Sequence, residues 1–583
     1  MKDLITAAEP SPPCEPPELR NLDRSLDSQI AWWSQGLSPG SLALAASDWM
    51  VHLAGSPAKQ WELLFKAQRK LARLTAFAAS RDLLAGPPCI TPLPQDRRFE
   101  GREWQQWPFN IIYQTFLLEQ QWWHNVTSDV PGVTRHHEQL WTFAMRQALD
   151  MFAPSNFLLT NPVALEATYL SHGANLMAGM RKFWADSLGA TPAVPERFRP
   201  GIGVAVTPGK VVFRNRLIEL IEYAAHTSTV YAQPVLMVPP WIMKYYILDL
   251  SPQNSLVRYL VQHGHTVFMI SWKNPDAGDR DIGMDGYLEE GVMAAIDEVA
   301  RRRPNQTIHA LGYCLGGTLL AIAAAAMARD QDRRLASMSL LAAQVDFTEP
   351  GDLGLFIDES QLNFLDNVMA SKGYLDGQQM EGAFALLNAK DMVWSRMVQN
   401  YLLGKGQGAA TDLAAWNADA TRMPYRQQSE YLRRLYLNND LAQGRYRVGE
   451  RPVALADLHL PMFIVGTDRD TVAPWTSVYK MHLVSDAPLT FCLTTGGHNA
   501  GIVNPPGQPG DHYYQLGMRE QDGPYTAPET WRATTATHSG SWWPAWQRWL
   551  ASQGETRVPA MPIAPATPAI VPDQAPGSYV LMQ

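Results

Sequence analysis

The chain has 583 residues, of which 46% are hydrophobic and 18% charged, and its formal net charge is -8. That composition excludes a wholly disordered chain and supplies enough apolar side chains for a large buried core. The acidic balance excludes a dedicated nucleic-acid binder, whose phosphate contacts need a concentrated basic surface.

The first residues, Met1 to Thr6, show no basic segment followed by an apolar stretch, so no signal peptide is expected. Four cysteines are too few for a disulfide framework in so long a chain, which points to a reducing, cytoplasmic setting. Residues 1–20 are rich in proline and are expected to be flexible. From there to about residue 200, apolar positions recur at mixed three and four spacing, as in Leu63 to Leu84 and Ile111 to Trp123, which predicts helices. Thr191, Pro192, Pro195, Pro200 and Gly201 interrupt that pattern. They mark the boundary between a helical N-terminal domain, 1–200, and a second domain, 201–583.

Short apolar runs then alternate with helix-length segments. Val235–Val238, Thr266–Ile270, Thr307–Leu311, Met338–Leu341, Met462–Val465 and Leu489–Leu493 read as strands buried on both faces. Asn254–Gln262, Tyr287–Ala300 and Gly317–Met327 read as helices between the early ones, so the expected fold is α/β with a mostly parallel sheet. Residues 304–328 carry no Asp, Glu, Lys or Arg and are long enough for a membrane span, which needs roughly 20 apolar residues. Gly312, Gly316 and Gly317 inside that stretch predict instead a strand, a turn and a buried helix, with no transmembrane segment. Between 346 and 461 the alternation stops for too long to be a loop, and an inserted helical cap is expected there. Residues 559–583 are proline-rich and are expected to form an extended, poorly packed tail.

The most informative residues are Gly312-Tyr313-Cys314-Leu315-Gly316-Gly317, between the strand ending at Leu311 and a helix expected to begin near Thr318. A strand that reverses sharply into a helix forces the central residue into a strained conformation and leaves no room for a Cβ two residues away. Such a turn lifts its nucleophile above the sheet edge, and a helix N-terminus is a favourable place for a thiolate. The alternative is a buried structural cysteine. Cys14, Cys89 and Cys492 lack this setting and receive no role.

A cysteine nucleophile needs a base and a group that orients the base. In the hydrolase arrangement these follow in the order nucleophile, acid, histidine, on loops after late strands. Asp470 follows Met462–Val465, and His498 follows Leu489–Leu493 through Gly496-Gly497. Asp468 is a rival acid two residues away. His136, His137, His263 and His265 read as structural or solvated. For a developing oxyanion the expected donors are the Leu315 amide and an amide after Val235–Val238. Pro239 and Pro240 have no N–H, so Trp241 or Ile242 must supply it, with Ile242 the choice adopted.

Beyond the turn, many blocks resemble one family, the poly(3-hydroxyalkanoate) synthases, and most of all its class I members. They include Asp96-Arg97-Arg98-Phe99, Pro239-Pro240-Trp241-Ile242, Ser271-Trp272-Lys273-Asn274-Pro275, Trp416-Asn417-Ala418-Asp419-Ala420-Thr421, Asn504-Pro505-Pro506 and Gly540-Ser541-Trp542-Trp543. The resemblance runs from about Asp96 to the C-terminus. It implies an α/β-hydrolase core in which Cys314 is acylated and Asp470 and His498 complete a triad. It departs at Met243, where the family commonly has Asn.

The resemblance further implies polymerisation of (R)-3-hydroxyacyl-CoA with release of CoA, and no cofactor, since the CoA thioester is itself the substrate. The implied partners are the growing polyester, the granule surface in the cytoplasm, and a second copy of the chain in a homodimer. A cysteine-dependent thioesterase and a non-enzymatic granule scaffold are the competing readings. The many Trp residues, Trp122-Trp123 and Trp542-Trp543 among them, read as core more readily than as contacts to polymer.

Overall fold

A strand that is apolar at nearly every position is stable only with both faces covered, and the six runs of that kind form the centre of one ten-stranded sheet. The computed structural model describes residues 17–34, 36–79, 88–93, 96–188, 195–387, 389–406, 411–508, 510–564 and 574–583. Its large sheet comprises β1 (Gly209–Arg214), β2 (Ile218–Tyr223), β3 (Val235–Val238), β4 (Val267–Trp272) and β5 (Ile308–Tyr313). The remaining strands are β6 (Leu335–Leu341), β7 (Met462–Thr467), β8 (Leu489–Thr494), β9 (Tyr513–Arg519) and β10 (Thr537–Ser539). Their spatial order is β1-β2-β4-β3-β5-β6-β7-β8-β9-β10. All pairings from β4 through β8 are parallel. The margins β1–β2–β4 and β8–β9–β10 are antiparallel.

Separate apolar cores cover the two faces. One contains the helix Leu315–Arg329, an alanine-rich segment whose small side chains let it lie flat against the sheet. The other contains Trp542, Trp543 and Trp546, all fully buried, which places the C-terminal tryptophans in the core. The stretch 304–328 divides into β5 and that helix. Among the described residues no helix is long and apolar enough to cross a membrane.

The N-terminal third is helical, with Pro17–Ser34, Pro39–Ala54, Pro57–Ala79, Phe109–Thr127 and Arg135–Met151 as its longer helices. Residues 1–16, Leu84 and 191–194, on which earlier expectations fall, lie outside the described residues. These helices pack on the segment between β6 and β7, which is itself mostly helical, with Glu359–Lys372 the longest helix. Ser41 Oγ donates to Asp358 at 2.8 Å, and His136 lies 3.3 Å from the same carboxylate.

The expectation of a poorly packed tail fails at its end. Residues 565–573 are outside the described set, but Gln574 pairs with Lys210 and Val580 is buried. The cause is Glu219 on β2, fully buried, whose carboxylate accepts from the Ser578 and Tyr579 amides at 3.0 and 2.9 Å. A buried carboxylate must be paired and hydrogen-bonded, and here the tail supplies the donors together with Arg214.

Candidate functional site

The turn after β5 has the strained form its glycines imply. Cys314 has φ +53° and ψ -125°, and the helix begins at the next residue, Leu315, three residues before the expected start. Cys314 N donates to Leu341 O on β6 at 2.9 Å, and Gly317 N donates to Cys314 O at 2.9 Å. A Cβ on Gly312 would lie 2.3 Å from the Gly317 Cα, and one on Gly316 would lie 2.2 Å from Val238 O. Only glycine lets the helix start this close to the end of β3. The first amides of a helix have no partner within it, so the Leu315 N–H is free to serve a ligand at the positive end of the helix dipole.

Asp470 and His498 meet above the C-terminal ends of β7 and β8. His498 Nδ1 lies 2.7 Å from Asp470 Oδ2, and the Asp470 side chain is wholly buried. That carboxylate also accepts from Val472 N at 2.9 Å, Ala473 N at 2.8 Å and Thr467 Oγ1 at 3.2 Å, which fixes its orientation. With Nδ1 committed to Asp470, the other ring nitrogen is left for Cys314, which is near enough to raise the pKa of the imidazole. Burial opposes the charged ring, yet Cys314 and Asp470 on either side outweigh it and hold the His498 pKa well above its ordinary value.

The rival Asp468 takes a different part. It accepts from Gly496 N at 2.9 Å and from Tyr513 Oη at 3.1 Å, bracing the loop that carries His498. The indoles of Trp542 and Trp543 brace the other side of that loop by donating to Gly501 O and Ile502 O, both at 3.0 Å.

Sequence reasoning missed a polar chain beside the histidine. Tyr313 Oη donates to Asn499 Oδ1 at 2.5 Å, and Asn499 Nδ2 donates to Asn417 Oδ1 in the β6–β7 insertion at 3.1 Å. The only sequence signal was that Asn417 sits in the Trp416–Thr421 block and Asn499 follows His498 directly.

The Trp416–Thr421 block also clamps the loop after β3. Thr421 Oγ1 donates to Trp241 O at 2.7 Å, Thr421 N to Ile242 O at 3.2 Å, and Trp416 Nε1 to Lys244 O at 2.7 Å. Met243 pairs through its backbone with Ala420. From the other side, Lys244 Nζ donates to Met582 O at 2.6 Å, so the chain's last residues hold the same loop. Ile242 and Leu315 line one apolar cavity of about 120 Å³; Trp241 is not among its lining residues and packs its ring against Tyr287 and Tyr431.

The other candidates of similar chemistry lie elsewhere. Cys492 is fully buried on β8, where burial pushes its thiol pKa up; Cys89 is half-buried; Cys14 lies outside the described residues. His265 stacks on Tyr231, and burial pulls its pKa down to about 3. His137 bonds Asp48 at 2.6 Å within the N-terminal helices. Among the described residues no group of three or more His, Cys, Asp or Glu side chains is placed to hold a metal ion.

Residues 95–260 match the family model described as poly-beta-hydroxybutyrate polymerase (PhaC) N-terminus, residues 17–59 match poly-beta-hydroxybutyrate polymerase N terminal, and residues 233–505 match the alpha/beta hydrolase fold. Over 567 residues the chain is 41% identical to a poly(3-hydroxyalkanoate) polymerase of Methylorubrum extorquens, covering 94% of this chain and 92% of the relative. The chain belongs to the poly(3-hydroxyalkanoate) polymerase family. Polymerase subunits from Rhizobium meliloti (strain 1021) and Cupriavidus necator are 37% and 38% identical over 493 and 498 residues. Each covers 83% of this chain, with 79% and 83% of the relative matched. As a member of this family the chain is an acyltransferase with an α/β-hydrolase core.

Proposed function

We propose that the chain polymerises (R)-3-hydroxyacyl-CoA into poly(3-hydroxyalkanoate) with release of CoA, through a thioester on Cys314. The observation that carries this is the imidazole of His498, bonded to Asp470 and facing Cys314 at the head of the helix, in a chain of this family. The Cys314 thiolate attacks the thioester carbonyl, and the oxyanion forms at the Leu315 and Ile242 amides. Collapse breaks the bond to CoA, whose thiolate takes the proton held by His498. The 3-hydroxyl of another unit then attacks the carbonyl carbon of the Cys314 thioester, giving its proton to His498 as the ester C–O bond forms, the C–S bond breaks and the Cys314 thiolate is regained. Asp470 orients the ring and stabilises its charged form.

Exchange of one thioester for another costs little, so the demand on the site falls on activating the hydroxyl and excluding water. The β6–β7 insertion, clamped on the Ile242 loop, supports that second part. No separate cofactor enters the scheme. Exposed apolar side chains on the N-terminal helices, such as Phe152, Tyr169, Leu170 and Trp184, support contact with an apolar polymer surface or a second copy. In this reading the protein works in the cytoplasm at the granule surface, as a homodimer.

The test is product identity. Incubation of the full chain with (R)-3-hydroxybutyryl-CoA should give polymer and CoA in equal molar terms of monomer. Free 3-hydroxybutyrate in place of polymer would hand the site to the thioesterase reading.

A further inference from the structure

We propose that the last turn of the first helix and the connection after it, at Ala31, Gly36 and Leu37, form the far wall of the pocket for the substituent at carbon 3 of the acyl unit, and so limit the length of that substituent. This rests on Cys314 carrying the acyl unit.

The cavity that Ile242 and Leu315 line runs from the candidate oxyanion donors into the interface between the β6–β7 insertion and the N-terminal helices. Tyr431 and Tyr436 form its flank, and Cys314 packs against the same apolar cluster. Ala31, Gly36 and Leu37 are the residues that the N-terminal helical region contributes to its lining. No Asp, Glu, Lys or Arg side chain lines it, so it is unsuited to the phosphates of CoA. A volume of about 120 Å³ is a little below that of apolar cavities of roughly 150 Å³ that stay dry and accept a benzene-sized guest. It fits a short alkyl group and is too small for a polyester chain. An acyl carbonyl whose oxygen meets the Leu315 and Ile242 amides starts at the mouth of this cavity, and carbon 3 is two bonds further in.

The far wall is anchored. Gln361, on the helix Glu359–Lys372, accepts from Ser38 N at 2.7 Å and donates to Gly36 O at 2.7 Å. Ala31 packs against Phe364 and Val368 of the same helix. Both polar ends of one buried glutamine are thus spent on holding a turn that is more than 320 residues away in the chain. A wall fixed in this way can discriminate by size, and one methylene in a well-fitted apolar pocket is worth about 10- to 200-fold in specificity.

The experiment uses the full chain and the ratio of kcat/KM for (R)-3-hydroxyhexanoyl-CoA over (R)-3-hydroxybutyryl-CoA, read from CoA release. Ala31→Leu fills the far end and should lower the ratio about tenfold or more. Leu37→Ala enlarges it and should raise the ratio several-fold, while Leu26→Ala, on an exposed position of the first helix, should leave it unchanged. Thermal melts identify folded variants; if Ala31→Leu does not fold, Leu37→Ala decides alone. An unchanged ratio in the folded variants, or a parallel fall for both substrates, overturns the pocket wall. Mass spectrometry of quenched wild type separates the two levels: no adduct on Cys314 with either substrate removes the proposed function, whereas an adduct with an unaltered ratio removes only the wall.

Discussion

Gly316→Ala probes the geometry on which the oxyanion assignment depends. The added Cβ would sit 2.2 Å from Val238 O and 2.5 Å from Pro239 O, and real Cβ contacts essentially never fall below 3.0 Å. The far side cannot give easily, because the buried Trp272 indole donates to Pro239 O at 2.9 Å and Thr421 holds the loop two and three residues further on. The helix start and the β3 loop must therefore separate by about 1 Å, a misplacement that costs on the order of 100-fold when it moves reacting groups. Loss of one oxyanion donor alone is worth about 10²–10³ in kcat. We expect kcat for CoA release to fall by about that factor, with stability reduced by about 1–3 kcal/mol from overpacking. Single-turnover CoA release gives the rate and urea unfolding the stability. Gly406→Ala, with nothing within 4 Å of its Cβ, is the control and should match wild type. A folded Gly316→Ala protein within about threefold of wild-type kcat would refute the idea that the Leu315 and Ile242 amides act as a pair.

Asp470→Asn should reduce elongation by up to about 10⁴-fold, the scale of losing the orienting carboxylate in a triad, and should reduce acylation less because the thiol ionises more readily than the secondary hydroxyl. Asp468→Asn should affect both steps mildly, since it only braces the loop; rapid-quench measurement of each step compares them, and a larger loss for Asp468→Asn would reverse the assignment. An imidazole NMR titration should find His498 still protonated well above pH 6.5, with its pKa falling in Cys314→Ala and in Asp470→Asn. Because that pKa is raised on folding, the charged ring stabilises the protein fully below about pH 6.5 and the contribution is lost as pH rises through the folded value; a His498 titrating at or below 6.5 in wild type contradicts the picture. Glu219→Ala removes the partner of the Ser578 and Tyr579 amides and should cost about 3 kcal/mol while opening the last residues to carboxypeptidase. An unchanged melting temperature and an intact tail would show that Glu219 does not anchor it.

The centre of the sheet was legible because its strands are buried on both faces and read as mainly apolar runs, with His309, Ser339 and Thr490 among the few polar positions. Its margins were not. β2 carries Glu219 and Glu222 among its apolar residues, and each depends on groups remote in sequence: the tail amides, beside Arg214, for Glu219, and Arg302 and Arg303 for Glu222. No local pattern announces such a strand. β9 and β10 are polar margin strands with partly or largely exposed side chains, and the alternation that would mark them is weak. At the site, Cys314 was readable from its glycines, because the close approach of Gly312 to Gly317 across the turn is a local steric requirement. Both carboxylates reach the loop after β8, and the choice of Asp470 over Asp468 depends on which one meets the His498 ring rather than the Gly496 amide, a difference that two residues of one loop acquire only on folding. The same holds for the Asn417–Asn499–Tyr313 chain and for the tail that holds Lys244, whose partners come from opposite ends of the sequence.

The account stands on Cys314 as the residue that carries both the acyl unit and the growing chain. Its most direct test is rapid quenching of the full chain with (R)-3-hydroxybutyryl-CoA, followed by intact-mass and peptide mass spectrometry alongside CoA quantitation. The account predicts an adduct confined to the peptide containing Cys314, growing by one repeat unit for each further CoA released, and neither adduct nor CoA from folded Cys314→Ala. Turnover by Cys314→Ala, or a growing chain found on any other residue, would contradict it.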